Sequence, residues 1–370
     1  VAERKIKVFH VLTDRNIGGA GRWLLNYLEH HNREQFDVWV VLPSDSALYP
    51  VVSTLDVAVI PMKDMEDKSF DKKAKDALYK LFKEEKPDIV HTHASLTARM
   101  AAKKAKVGRI FNTKHCMESA PGPLPKKIIR RMINKHYSDI IIAVSKAVKH
   151  SMVAGGTDPK QIVTIYNGIN GIEPISGEAR NEILLSYGGD PLRKAIGIVA
   201  RLEEVKDHDT FLLAAQEVLK HRNDIDFYIV GDGSLGGYLE ERANVLGIKD
   251  HVIFTGFVKD VERIESALDL NVITSKHEAL CLSVIESMSA GIPAVGTDSG
   301  GVNEVIRHGE NGYLVPVGDW KALAQRMLEV LADEGEYLKM AMKARAWAHE
   351  HFTAQKMTSR IERLYLEERK

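Results

Sequence analysis

The sequence predicts an α/β protein made of two halves, each a parallel sheet with crossover helices. Three observations carry this. Short β-rich runs alternate with longer helical patterns along almost the whole chain. The strand runs are nearly unbroken apolar stretches, as in Ile140–Val144, the pattern of strands covered on both faces. The alternation pauses once, over 168–192, where Gly and Pro cluster around a short helical stretch, and then restarts. A length of 370 residues also exceeds one typical domain.

In chain order, Ile6–Leu12 reads as the first strand and Arg22–His30 as the amphipathic helix behind it. Phe36–Leu42 is a strand, Ala74–Glu84 a helix and Asp88–His91 a strand, with further strands at Arg109–Thr113 and Ile140–Val144. The reading places a first domain at 1–172, a linker at 173–192 and a second domain at 193–350. Strands in the second half are expected at Ala195–Ala200, Phe227–Val230, Val252–Thr255, Leu270–Thr274 and Ala294–Thr297, and Tyr337–Lys370 is helical and charged. Ligands of open α/β sheets bind beyond the carboxyl ends of strands, so a cleft between two such domains is the expected site.

The composition, 44% hydrophobic and 28% charged, is that of a globular protein. Lys+Arg and Asp+Glu balance at 51 each, so no overall field draws the chain toward nucleic acid. Cys116 and Cys281, far apart and outside any CxxC pattern, suit a reducing compartment. No apolar run is long enough to cross a bilayer, and the first residues lack the apolar stretch and small-residue site of a secretory signal, so a cytoplasmic location is expected.

The most informative segment is Ser275–Gly301. It follows a strand, and Ser283 and Glu286 have capping-box spacing, so 279–283 reads as a loop feeding a helix N-terminus. Free backbone N–H groups there suit a diphosphate, while Glu278, just before them, suits sugar hydroxyls better than phosphate. Arg201 and Lys206, at and beyond the end of strand 195–200, are two cations able to neutralise a leaving diphosphate. Taken singly, these residues read as a helix cap, a loop acid and two surface cations.

Taken together they resemble something specific. Glu278 and Glu286 are separated by seven residues and followed by Gly291, Pro293 and Gly300–Gly301. This E-x7-E, G-x-P, GG run resembles the signature of the retaining glycosyltransferases of family 4, which have the GT-B fold: two Rossmann-like domains facing a central cleft. GGAGR at 18–22, DIVHTH at 88–93, Asn167–Gly168, the Arg201/Lys206 pair, VGDG at 230–233, Gly256–Phe257 and NGYLV at 311–315 follow in the family's order. The resemblance spans essentially the whole chain.

It implies transfer of a hexose-type sugar, with retention, from a nucleotide diphosphate sugar, UDP-sugar favoured, to an acceptor hydroxyl in a glycan or lipid-linked acceptor. Arg201 and Lys206 would bind the donor pyrophosphate and carry catalysis, Glu278 the sugar hydroxyls and Glu286 the ribose. Backbone at Leu280, Cys281 and Leu282 would contact a phosphate. Gly231 and Phe257 belong to the nucleotide side, Gly18 and Gly19 to the loop near phosphate and acceptor, and His115 to the donor sugar at the reacting carbon. The helix at 351–370 would pack on the first domain. The sequence departs from the pattern at Asn170–Gly171, where many members carry an acid, and at Leu280, where they carry glycine. A sugar-nucleotide epimerase or hydrolase and a non-catalytic subunit are the alternatives; the presence of all four charged residues counts against the latter.

Other signals are discounted. Gly231, Gly233 and Gly236 have dinucleotide-fingerprint spacing, but Asp250 precedes the next strand rather than ending it. Asp207–Asp209 and Asp224–Asp226 have D-x-D spacing yet read as a helix start and a turn, and no metal cofactor is expected. His91 and His93 alternate onto one strand face without an evident third ligand, and read as loop-positioning residues. The stretch 126–135 sets Ile128, Ile129, Met132 and Ile133 on one helix face flanked by Lys127, Arg130, Arg131 and Lys135. It suits either a buried helix face with solvated cations or a peripheral membrane contact.

Overall fold

The structure, a computed structural model, describes residues 4–63, 65, 70–118 and 122–367. The chain divides into two compact units, the first holding residues up to Gly168 and from Ala354 onward, the second holding Ile169–Thr353.

The first unit is a seven-stranded parallel sheet: β1 Ile6–Val11, β2 Phe36–Pro43, β3 Ala58–Met62, β4 Ile89–His93, β5 Arg109–Lys114, β6 Ile140–Ala143 and β7 Ile162–Thr164. The order across the sheet is β3-β2-β1-β4-β5-β6-β7. Both faces are covered, as the apolar strand runs demand. Helix Gly19–His30 packs Trp23, Leu24 and Tyr27 on one face together with Met357, Ile361 and Tyr365 of the helix Ala354–Leu366; Leu78, Phe82 and Ala98–Ala102 cover the other. Asp71, Ser95 and Ser145 each start a helix by accepting a bond from the backbone N–H three residues on.

The second unit is a six-stranded parallel sheet: β8 Lys194–Val199, β9 Ile225–Val230, β10 Val252–Gly256, β11 Leu270–Ile273, β12 Ala294–Thr297 and β13 Gly312–Val315. Its order is β10-β9-β8-β11-β12-β13. Residues 173–192, read from the sequence as a linker, carry the helix Gly177–Ser186, capped by Ser176. Its Ile183 and Leu184 are buried with Tyr228, Ile264 and Leu268, so this stretch is part of the second unit's core. The Gly and Pro residues that suggested a linker bracket that helix. Ile169 bridges Thr353 where the chain enters and leaves this unit.

The order of each sheet reverses once, between β1 and β4 in the first unit and between β8 and β11 in the second. Such switch points are where the loops beyond adjacent strands part and leave a crevice at the carboxyl edge.

Candidate functional site

In the second unit, the loops beyond β8 and β11 flank the switch point, and they carry Arg201, Lys206 and Glu278. The Lys206 Nζ lies 2.5 Å from a Glu278 carboxylate oxygen, with both side chains largely buried. The Ser275 hydroxyl donates to the same oxygen at 3.2 Å. Lys206 sits at the end of a short 3-10 turn, Glu204–Lys206, and the next residue, Asp207, takes a left-handed conformation (φ 53°). The two loops are knitted by backbone: Lys276 N–H donates to Val205 O at 2.8 Å, and the Thr274 hydroxyl donates to Lys206 O at 2.7 Å. Arg201 is exposed at the same edge.

The glycines of this edge make close approach possible. A Cβ on Gly231 would fall 2.1 Å from Ala200 O, and one on Gly233 would press on the Leu202 backbone, so the β9 loop lies directly against the Arg201 segment. A Cβ on Gly301 would fall 2.1 Å from Ala279 O, and Gly301 N–H donates to Glu278 O at 2.8 Å, fixing the Glu278 loop from the opposite side. Ser275 O accepts from both Thr297 and Ser299 hydroxyls, at 2.8 and 2.6 Å. Phe257, just beyond β10, is exposed.

The expected capping box does not form. The helix runs Leu282–Ser289, with Cys281 at its N-cap and no side-chain cap bond. Cys281 O accepts the first helical bond, from Ile285 N–H, so Ser283 falls inside the first turn rather than before it. The helix therefore presents its first amides uncapped by any side chain, beside Glu278. Leu280 and Cys281 bury their side chains, and Glu286 is buried within the helix. Burial, and then Glu278 beside it, pushes the Cys281 thiol up, which keeps it protonated. Asn271 anchors the helix to β11 by donating to the Ser287 hydroxyl at 2.6 Å.

In the first unit, the carboxyl edge at the switch point is built of histidines. His10 lies within β1's buried run, His91 and His93 lie on β4, and His115 follows β5. His91 and His93 share a face as their alternation requires, their rings stacked with centroids 5.0 Å apart. His10 Nδ1 is 3.3 Å from His93 Nε2, and His93 Nδ1 is 2.8 Å from His115 Nε2. Burial holds all four below the ordinary value, His10 and His115 at about 3, so the imidazoles are neutral near pH 7. His91 lies apart from this chain of bonds and pins the C-terminal helix, with Nδ1 2.5 Å from the Tyr365 hydroxyl and Nε2 2.6 Å from the Thr113 hydroxyl. Gly18 and Gly19 begin the helix Gly19–His30, and a Cβ on either would meet nothing within 4 Å. His10 escaped the sequence reading because it sits inside an apolar strand run. A polar residue in such a run was the signal.

The discounted acids are engaged elsewhere. Asp209 accepts from Tyr238 and Arg242, Asp224 from Arg222, and Asp226 from Arg193 and Asp190 N–H. Asp250 lies in the turn Lys249–His251 before β10. Among the described residues no three His, Cys, Asp or Glu side chains gather as a metal site.

Helix Leu124–Tyr137 does not fit the reading of 126–135 as a buried helix face. Leu124, Ile128, Ile129 and Met132 are each more than half exposed, so the apolar stripe is not buried against the body. The helix is attached through its polar side instead. Asn134, its one buried residue, accepts from Arg99 at 3.0 Å and donates to Thr157 at 2.9 Å; Arg130 pairs with Glu118 and Arg131 with Asp158. Among the described residues no helix is long and apolar enough to cross a membrane.

Most of the chain is matched by known families. Residues 17–171 match the family described as Glycosyltransferase Family 4, and residues 186–347 match Glycosyl transferases group 1. The N-acetyl-alpha-D-glucosaminyl L-malate synthase of Bacillus anthracis is 27% identical over 86% of this chain and 84% of its own. The UDP-Gal:alpha-D-GlcNAc-diphosphoundecaprenol alpha-1,3-galactosyltransferase of Escherichia coli is 27% identical over 98% and 97%. Among solved structures, Anabaena HepE in complex with UDP-glucose superposes with a TM-score of 0.83 at 20% identity, covering 97% of this chain and 99% of that one. A Rickettsia africae glycosyltransferase gives 0.85 at 19%, covering 98% of each. The chain is a GT-B-fold glycosyltransferase related to the family 4 and group 1 glycosyltransferases.

Proposed function

We infer that the protein transfers a hexose-type sugar from a UDP-sugar to an acceptor hydroxyl with retention at the anomeric carbon, in the assembly of a lipid-linked glycan or polysaccharide. The observation that carries this is the Lys206–Glu278 pair beside the uncapped start of helix Leu282–Ser289, at the switch point of the second unit. A cation, a carboxylate and helix amides are the groups that a sugar diphosphate needs. On donor binding, Lys206 and Arg201 take the pyrophosphate, and Glu278 turns to sugar hydroxyls. Glu286 takes the ribose, with Gly231 and Phe257 on the nucleotide side. His115 contacts the sugar at the reacting carbon, and Gly18–Gly19 approach phosphate and acceptor.

Charge builds on the departing diphosphate as the glycosidic bond breaks, and preorganised cations stabilise it most in that state. As the family resemblance implies, the acceptor hydroxyl attacks on the face from which the diphosphate leaves. The choice of UDP and of a lipid-linked acceptor leans on the E. coli relative, whose name gives UDP-Gal and a diphosphoundecaprenol acceptor, and on HepE, solved with UDP and UDP-glucose. The exposed apolar stripe and flanking cations of helix Leu124–Tyr137 fit an anionic lipid surface, which would hold the enzyme near such an acceptor at the cytoplasmic face.

Lys206→Ala tests the central assignment. Turnover is expected to fall about 10²–10³-fold or more, the scale for removing one transition-state charge contact, with the circular dichroism and melting of a folded protein. A variant that keeps the wild-type rate removes Lys206 from the mechanism.

A further inference from the structure

The Glu278 carboxylate receives two donors on one oxygen. The Lys206 ammonium lies 2.5 Å from Oε2, and the Ser275 hydroxyl donates to the same atom at 3.2 Å. Oε1 bonds to nothing among the described residues, and it is not one of the buried unpartnered atoms, so it faces open space. The two donors differ in kind. A lysine ammonium rides on a flexible four-carbon stem and carries the charge that a phosphate attracts. The Ser275 hydroxyl is neutral, sits on a single carbon, and belongs to a wholly buried residue just beyond β11.

Ser275 is itself held in place. Its carbonyl accepts from the Thr297 and Ser299 hydroxyls at 2.8 and 2.6 Å, and both of those residues are buried. A hydroxyl has one proton to donate. Those of Thr297 and Ser299 are engaged at Ser275 O, so the Ser275 proton is the one this buried group directs at the site. The loop does not need that bond for its path. Lys276 N–H donates to Val205 O and Gly301 N–H to Glu278 O, both at 2.8 Å, and these backbone bonds already hold 275–278 from either side. What the Ser275 hydroxyl adds is the orientation of the carboxylate.

We propose that Ser275 is a positioning residue: it holds Glu278 Oε2 and so turns Oε1 toward a hydroxyl of the donor sugar, independently of Lys206. The inference rests on the reading of Glu278 as a sugar contact. Under that reading Lys206 serves the donor diphosphate, so a carboxylate anchored by the lysine alone would lose its orientation as the donor binds. A buried neutral donor fixed to the end of a strand keeps it. Ser275 acts through Glu278 and makes no contact with the donor itself.

Calorimetric titration of UDP, UDP-glucose, UDP-galactose and UDP-N-acetylglucosamine into the wild type, Ser275→Ala, Glu278→Ala and the double variant tests this. The readout is the ratio of UDP-sugar to UDP affinity, for the sugar that the wild type holds tightest. UDP shares the nucleotide and diphosphate contacts and lacks the sugar, so the ratio isolates the sugar contact. In Ser275→Ala the ratio is expected to fall about tenfold, the scale of one hydrogen bond to a charged group, with UDP affinity unchanged. The retained UDP binding shows that the site is still folded. The double variant is expected to match Glu278→Ala, because a residue that acts through Glu278 then has nothing left to position. An unchanged ratio in Ser275→Ala, equal weakening of UDP and UDP-sugar, or a further fall in the double variant overturns the proposal. Where Glu278→Ala lowers the ratio and Ser275→Ala does not, the positioning role alone fails. Where Glu278→Ala leaves the ratio unchanged, or no UDP-sugar binds the wild type, the reading of Glu278 as a sugar contact fails and the proposal with it.

Discussion

At the scale of single residues, the two switch points use opposite electrostatic strategies. In the second unit a cation and a carboxylate neutralise each other at 2.5 Å. In the first unit burial strips charge from the histidines altogether. That has a consequence for stability. His10 and His115 bind protons only at about pH 3 in the folded chain, against about 6.5 when unfolded. Between those values the unfolded state binds more protons, so stability rises with pH. The contribution is full above about pH 6.5 and is lost as pH falls toward 3, by up to about 1.4 kcal/mol per pH unit for each histidine. Urea unfolding at stepped pH is expected to show the midpoint falling between pH 6.5 and 5, before most carboxylates titrate; a flat midpoint over that interval contradicts neutral burial. At this scale the sequence told much about Lys206 and Glu278, because their types, order and spacing are distinctive. It told little about His10 or Tyr365, because a side chain that matters through its neighbours is visible only when those neighbours are assembled.

At the scale of elements, the strands that composition revealed are the central ones and one edge, β10. Those it did not reveal, β3, β7 and β13, are all sheet edges, short or only partly buried, one of them containing Pro61. An edge strand has one partner and one half-covered face, so its sequence lacks the continuous apolar run of β6 or β9. The helix starting at Leu282 shows a different limit. Cap spacing alone put its start after Ser283, but the Gly301 contact with the Glu278 loop and the Cys281 carbonyl move it back. Helix Leu124–Tyr137 was legible as amphipathic but not as outward-facing, because a hydrophobic stripe does not say what covers it. Its exposed Leu124, Ile128, Ile129 and Met132 are expected to take anionic phospholipid vesicles as that cover. Co-sedimentation should fall sharply in Lys126→Glu/Lys127→Glu and in Ile128→Asp/Met132→Asp, and be weak with neutral vesicles. Recovery unchanged in both variants removes the membrane contact.

At the scale of the whole molecule, each of the two units repeats one plan, a parallel sheet covered on both faces with its order reversed once and its candidate site side chains beside the reversal. The division of the chain was legible as a pause in alternation, though the stretch that marked the pause belongs to the second core through Ile183 and Leu184. We propose that the second unit's reversal binds a nucleoside diphosphate sugar through Lys206. Calorimetric titration of UDP-hexoses, with GDP-hexoses as controls, into wild-type protein and Lys206→Ala tests it most directly. Saturable binding of a UDP-hexose to the wild type, weakened about tenfold or more in Lys206→Ala, is the predicted result, on the scale of a lost charged hydrogen bond. Equal affinity in the two proteins, or no binding of any UDP-hexose to the wild type, contradicts the claim.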